Sequence, residues 1–455
     1  MVIKSELHPN MRRELIKLAW PLMLSNLAYV LLGALDTWFM GRVSTPALGA
    51  VGVGSMFFMS LSLILRGTIS GGLVLVAKSF GAGDNKGAGH TLGNYLALTI
   101  LLAPLALLIP VIAKVYFLIT KADREIASLA YDYITIRAWE IPFALVSQAV
   151  VSFMMGIGDS KRPMYLAWSS VIINLAANYI LVFGKLGFPA LGLTGAAWGT
   201  VIAQALQALC YIVAVRTLYA KQFRLQGLCF PTRKRLREML KLGLPIGLGD
   251  FVESSAFATF MTLISRLGPI ELAASQIANQ INSLAFMPGF ALGTATSSLV
   301  GRALGEENKA KGRLYGIVGV KVAITYMAFL GLSYWIFPRY LAKFFLQDQV
   351  VINCTVKLMR IISIYQVFDA CNIVFRGALN GAGDTKFTGI TTILAAYLLF
   401  IPLTYLGAFV FKLGLIGAWL GPIVYLISLG MIFSLRFLSG RWEDKTTKTL
   451  ELSVN

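Results

Sequence analysis

The chain has 455 residues, of which 57% are hydrophobic and 13% charged, and its mean hydropathy is +0.73. A soluble domain carries about 25% charged residues, so this composition excludes most soluble enzyme classes and indicates an integral membrane protein. The excess of 40 Lys+Arg over 21 Asp+Glu would suggest nucleic acid in a soluble protein. Here it fits helix orientation and contact with anionic membrane lipids, with no nucleic-acid partner.

Residues 1–13 are polar and charged, and no cleavable leader is evident after them. The first apolar segment, 14–40, contains Pro21 and, near its end, Asp36. Segments 47–76, 91–118, 128–155, 163–184 and 191–216 follow. Gly67 and Gly71 in the second have the spacing of close helix packing. The fifth carries Asn174 and Asn178 at i,i+4, and the sixth carries Thr200. A basic stretch from Arg216 to Lys241 interrupts the pattern. Segments 238–264, 272–300, 314–337, 351–376, 387–411 and 414–437 complete twelve apolar runs of membrane-spanning length. Such runs predict helices rather than a barrel of short alternating strands.

With twelve spans the termini share one side. The termini and the loops after even-numbered spans hold 26 of the 40 basic residues, Arg376 among them, against nine on the other side. That asymmetry puts both termini in the cytoplasm.

The two halves repeat. Glu14-Leu-Ile-Lys-Leu-Ala-Trp-Pro21 matches Glu238-Met-Leu-Lys-Leu-Gly-Leu-Pro245 at an offset of 224. Gly158-Asp-Ser-Lys161 matches Gly383-Asp-Thr-Lys386, and Gly192-Leu-Thr-Gly195 matches Gly414-Leu-Ile-Gly417, at nearly the same offset. Six spans per repeat is an even number, so both halves share one topology. The expected fold is an all-α membrane protein of twelve transmembrane helices in two six-helix lobes, related by a parallel pseudo-two-fold repeat. The expected divisions are an N-lobe over 1–220, a basic cytoplasmic linker over 221–236 and a C-lobe over 237–455.

Gly156-Ile-Gly158-Asp-Ser-Lys161 and Gly381-Ala-Gly383-Asp-Thr-Lys386 resemble phosphate loops, but neither fits G-x-x-x-x-G-K-[ST]. They read as tight turns with helix-capping Asp and Ser/Thr. The four cysteines form no CxxC pattern, and His8 and His90 are isolated, so neither a disulfide framework nor a zinc site is indicated.

The informative residues are ionisable groups inside apolar segments. Asp36, Glu253 and Asp369 each stand in one, and a carboxylate at mid-bilayer costs about 2.5–3.5 kcal/mol on insertion scales. Such a group usually has a task. It either exchanges a proton or, left ionised among oxygen-bearing partners, holds a hard cation such as Na+. Asn174, Asn178 and Thr200 are such partners for Asp36. Asp250 shares a helix face with Glu253 and is assigned to the substrate or the entrance. Tyr365 at i−4 and Asn372 at i+3 share the face of Asp369. Phe286 is a cavity-lining candidate, and Pro21 and Pro245 are candidate helix kinks.

Together these features resemble the multidrug and toxic compound extrusion (MATE) transporters over essentially the whole chain. Leu35-Asp36-Thr37 with Gly41-Arg42, Gly243-Leu-Pro245-Ile with Glu253, Tyr365-Gln-Val-Phe-Asp369 and the Arg376 to Thr385 run carry the match. Asp36, Glu253 and Asp369 fall where the NorM-type branch has its membrane acids. Asn174, Asn178 and Thr200 fall on the N-lobe cation network. The DinF-like branch has a further Asp in span five, where this chain reads Ala177-Asn178-Tyr179.

The resemblance implies Na+- or H+-coupled antiport that exports small cationic lipophilic compounds by alternating access. Na+ candidates are Asp36, Asn174, Asn178, Glu253 and Asp369. No organic cofactor and no enzymatic activity are implied. The expected location is an inner or plasma membrane, and a monomer holds all required parts. The nearest rival is a lipid-linked oligosaccharide flippase of the same superfamily, which Arg66 and Arg137 keep in view.

Overall fold

A computed structural model describes residues 3–120, 123–225, 227–345 and 348–443. Lys121, Lys445 and Lys448, counted in the charge split, lie outside them. The described residues contain no strand and hold twelve long helical segments in the order and places of the twelve apolar runs, with two short helices, Ala220–Phe223 and Pro338–Lys343, besides. These are α1 (Ile3–Met40), α2 (Thr45–Gly81), α3 (Asn85–Ile119), α4 (Arg124–Ile157), α5 (Lys161–Phe183), α6 (Gly192–Leu218), α7 (Arg233–Ser265), α8 (Pro269–Gly305), α9 (Lys309–Ile336), α10 (Gln349–Ala382), α11 (Thr385–Val410) and α12 (Gly414–Leu438).

Ten of them are long and apolar enough to cross a membrane singly, and α8 makes an eleventh when its two bent halves are counted together. The remaining one, α7, opens on Arg233, Lys234, Arg235 and Arg237 and carries Asp250 and Glu253. At 33 residues it is long enough, and its charged residues keep it off that count.

Local chemistry sets the helix ends. Asp84, Asp123, Asn308 and Asp348 each accept a backbone N–H from the first turn of the helix they precede, which satisfies otherwise orphaned donors. Pro104 opens a short 3-10 turn in α3 and Pro142 follows one in α4, where a residue without N–H is tolerated.

The chain divides into two compact units. One is Leu24–Gly247 and the other is Met1–Met23 with Leu248–Asn455. The two boundaries, after 23 and after 247, are separated by the repeat offset of 224. Each falls two residues past the matching proline, Pro21 in α1 and Pro245 in α7, and both prolines lie inside helices that continue beyond them.

In Leu24–Gly247, Gly67 and Gly71 of α2 face Gly243 and Gly247 at the start of α7, with backbones in direct contact. The core around them includes Phe39, Phe58, Tyr95, Tyr133 and Met239. The other unit is centred on α10. There Gly377 and Gly381 lie against the backbone of Gly293 and Ser297 in α8. Phe257, Phe260, Phe400, Trp419 and Tyr425 form an aromatic cluster beside it.

The sequence repeat has local structural counterparts. Gly158 (φ 87°) ends α4 and Gly383 (φ 89°) ends α10, both left-handed, as a helix-ending glycine permits. Tyr315 of α9 donates to Glu14 of α1 at 2.5 Å. At the repeat-equivalent place Arg235 bridges Glu238 of α7 (2.8 Å) and Thr91 of α3 (3.1 Å).

The turns after these glycines differ from the capping expectation. Asp159 does accept from the Arg162 backbone N–H, at 3.2 Å. Ser160 and Asp384, however, make no side-chain cap bond. Asp384 is instead ion-paired with Arg436 at 2.8 Å, a stronger partner than a backbone amide.

Candidate cation sites

In Leu24–Gly247, helices α1, α5 and α6 bring one predicted set together. Asn178 donates from Nδ2 to Asp36 Oδ1 at 2.8 Å and to Asn174 Oδ1 at 3.1 Å. Asn174 Nδ2 donates to Thr200 Oγ1 at 3.2 Å. Thr200 is 3.4 Å from Asp36 Oδ2 and also donates to the Ala196 carbonyl at 3.1 Å. Asp36, Asn174 and Asn178 are all buried. The i,i+4 spacing on α5 places both amides on one face.

The amide of Asn178 fits because position 199 is glycine, since a Cβ there would fall 2.1 Å from Asn178 Oδ1. That Oδ1 has no hydrogen-bond partner among the described residues. A buried acceptor without a donor is costly.

Near this set lies a second buried group that the sequence reading did not assemble. Arg137 donates to Glu140 at 2.5 Å and to the Tyr133 hydroxyl at 2.6 Å. Tyr133 in turn is 3.2 Å from Ser55 Oγ, and the guanidinium lies over the Phe58 ring. Glu140 was missed because it sits just before Pro142, where the segment reads as apolar. Its i,i+3 spacing from Arg137 was the available signal.

In the other unit, Asp369 is fully buried on α10. Asn372 Nδ2 donates to its Oδ1 at 3.2 Å. Asp369 Oδ2 and Asn372 Oδ1 have no hydrogen-bond partner among the described residues. Tyr365 is buried one turn before Asp369. Beside it, Gln366 donates to Asn282 of α8 at 2.7 Å, another link the sequence reading missed. Phe286 stacks edge-on against Phe290, with centroids 4.5 Å apart.

Glu253 does not stand beside free amides. Arg376 donates from Nη1 to Glu253 Oε2 at 2.7 Å and from Nη2 to Asp250 Oδ1 at 2.6 Å. This corrects the placement of Arg376 in a loop. Helix α10 runs on to Ala382, and the guanidinium, 12% exposed, stands on it. The apolar run ended where Arg376 broke it, although the helix did not.

The MatE family profile matches residues 21–180 and 245–406, once in each half. This chain belongs to the MatE family. As a MatE transporter it is not an enzyme. It is 31% identical over 451 residues to the probable multidrug resistance protein NorM of Thermotoga maritima, covering 97% of this chain and 96% of the relative. It is 28% identical to the multidrug resistance protein PmpM of Pseudomonas aeruginosa, with 93% and 90% covered. Its fold matches the eukaryotic MATE transporter AtDTX14 at a TM-score of 0.88 and 20% identity, covering 98% and 99% of the two chains. Two profile matches, each beginning at or near the proline of a first helix, agree with the internal repeat.

Proposed function

We propose that this MatE transporter is a multidrug antiporter that exports small cationic lipophilic compounds in exchange for inward Na+ or H+. The observation that carries the reading is a buried carboxylate in each unit that accepts from an asparagine amide, Asp36 from Asn178 and Asp369 from Asn372. Oxygens without a hydrogen-bond partner among the described residues stand at both places: Asn178 Oδ1 near Asp36, and Asp369 Oδ2 with Asn372 Oδ1. Hard oxygen ligands around one negative charge suit Na+, and the same carboxylate accepts a proton instead.

In this reading Asp36, Asn174, Asn178 and Thr200 hold the coupling cation in an N-lobe (1–220), or contact substrate. Asp369 with Asn372, and Glu253 once freed from Arg376, serve it in a C-lobe (237–455), with 221–236 as the linker. The lobes expose the sites alternately to either side of an inner or plasma membrane, with both termini cytoplasmic. Acidic groups also attract cationic substrates. Protein monomers suffice, with anionic lipids around them.

The lipid flippase reading is weaker, because a pyrophosphate lipid needs unpaired basic groups. Of Arg66 and Arg137, which keep that reading in view, Arg137 is paired with Glu140, so Arg66 alone does not make a basic cluster.

The test is efflux of a fluorescent cationic dye from proteoliposomes, with Na+ and H+ gradients imposed separately. Efflux driven by one gradient alone is expected and names the ion. No efflux under either gradient, from correctly folded protein, overturns antiport and favours a flippase.

A further inference from the structure

The pairing of Arg376 across α7 and α10 leads beyond the choice of coupling ion. Two carboxylates one helical turn apart, Asp250 and Glu253, meet a single guanidinium that takes one oxygen of each. The three groups carry a net charge of minus one. The carboxylates are the more accessible members. Asp250 has 34% and Glu253 18% of its side chain exposed, against 12% for Arg376. A ligand arriving from the open side therefore meets the acids before the base.

We propose that Arg376 is a tethered counter-cation. It occupies the Asp250–Glu253 pair when neither exported compound nor coupling ion is bound there, and a monovalent organic cation gains that pair by displacing the guanidinium. The proposal rests on the export reading above and adds a specificity-determining residue to it.

Energetics favour exchange over simple binding. A buried ion pair gains little net, since desolvation offsets the attraction, whereas an uncompensated buried charge is very unfavourable. Replacing one monovalent cation by another keeps the charge balance and is nearly neutral. Leaving the pair empty is not. The tethered guanidinium thus lets the transporter release its cargo without leaving two bare, partly buried carboxylates one turn apart. A cation with N–H donors, such as an aryl amine or amidinium, best reproduces the hydrogen bonds that Arg376 gives up. Asp369, two turns back along α10, keeps its own partner, Asn372, and is free to serve the coupling ion.

The experiment measures ethidium binding and efflux for the full-length protein in lipid. Arg376→Gln removes the competitor, so the dissociation constant should fall about tenfold, a scale typical of coupling between close charges. Efflux should then show a lower KM and a lower kcat, because release leaves the pair bare. Adding Asp250→Asn to that variant should return the affinity towards the wild-type value. Arg376→Gln protein that is monodisperse yet binds ethidium no more tightly than wild type overturns the proposal.

If Arg376→Gln does not fold, Arg376→Lys carries the test. Its point charge holds one carboxylate at a time, so tighter binding is expected, and unchanged binding overturns the proposal. A wild-type protein that neither binds nor exports ethidium contradicts the export reading instead. The clamp is then read by carbodiimide labelling and mass spectrometry. Asp250 and Glu253 should resist labelling in wild type and react in Arg376→Gln, and equal labelling overturns the clamp.

Discussion

Gly67 and Gly247 pack backbone against backbone, so that a Cβ built on Gly67 falls 2.4 Å from the Cα of Gly247. One turn along, a Cβ on Gly243 falls 1.9 Å from the Thr68 carbonyl. Small residues let membrane helices approach this closely, and dispersion between the backbones then holds them.

Gly67→Ala should therefore destabilise the protein by about 1–3 kcal/mol, the usual cost of overpacking. Gly52→Ala in the same helix meets nothing within 4 Å and serves as the control. Thermal unfolding in detergent should lower the midpoint for the first variant and leave the second unchanged. Equal midpoints would show that the two backbones are not in contact.

Gly199→Ala tests the N-terminal site without changing any charge. The added methyl would press on Asn178 Oδ1 and pull its amide from Asp36, to which it donates at 2.8 Å. Gradient-driven dye efflux should drop while expression and oligomeric homogeneity persist. Wild-type ion dependence in this variant would separate Asn178 from coupling.

The carboxylates themselves should divide binding from coupling. Asp36→Asn and Asp369→Asn keep side-chain shape but cannot be ionised. Each should reduce the stimulation of efflux by the coupling gradient about tenfold, within the range of ordinary site-to-site coupling. A variant with full stimulation identifies a carboxylate that plays no part in coupling.

The Arg137–Glu140 pair makes a stability prediction. Both side chains are nearly inaccessible, at 13% and 6% exposure. Removing one partner strands a buried charge and costs about 3–5 kcal/mol, whereas replacing both with apolar groups is often neutral. Arg137→Met and Glu140→Leu should each lower the unfolding midpoint sharply, and the double variant should recover most of the loss. Additive losses would mean that the two groups do not compensate each other.

The fold was largely legible because the signals that set it are local and repeated. Apolar runs place the helices, and the prolines at 21 and 245 and the glycines at 158 and 383 mark the repeat. The grouping of Asn174 and Asn178 follows from helical spacing, and their place in the same half as Asp36 joins them to it, in accord with the family resemblance. What spacing does not contain is pairing across helices. Arg376 lies 123 residues from Glu253, and nothing in the linear pattern distinguishes a loop arginine from one that a buried acid partner draws into a helix. The same limit hid Gln366 and Asn282, whose amides meet between α8 and α10.

The unit boundaries cut through α1 and α7, so neither unit coincides with a half of the chain: Leu24–Gly247 is continuous, and the other unit joins Met1–Met23 to Leu248–Asn455. A polypeptide opened in the connection between α6 and α7 would give two fragments, each carrying an arm that belongs to the other's body. The first would hold Met1–Met23, and the second would hold Arg233–Gly247. Reassembly of co-produced halves would then proceed by exchange of arms. A first fragment made alone would leave bare the groove at Gly67 and Gly71, the surface that Gly243 and Gly247 cover in the intact protein.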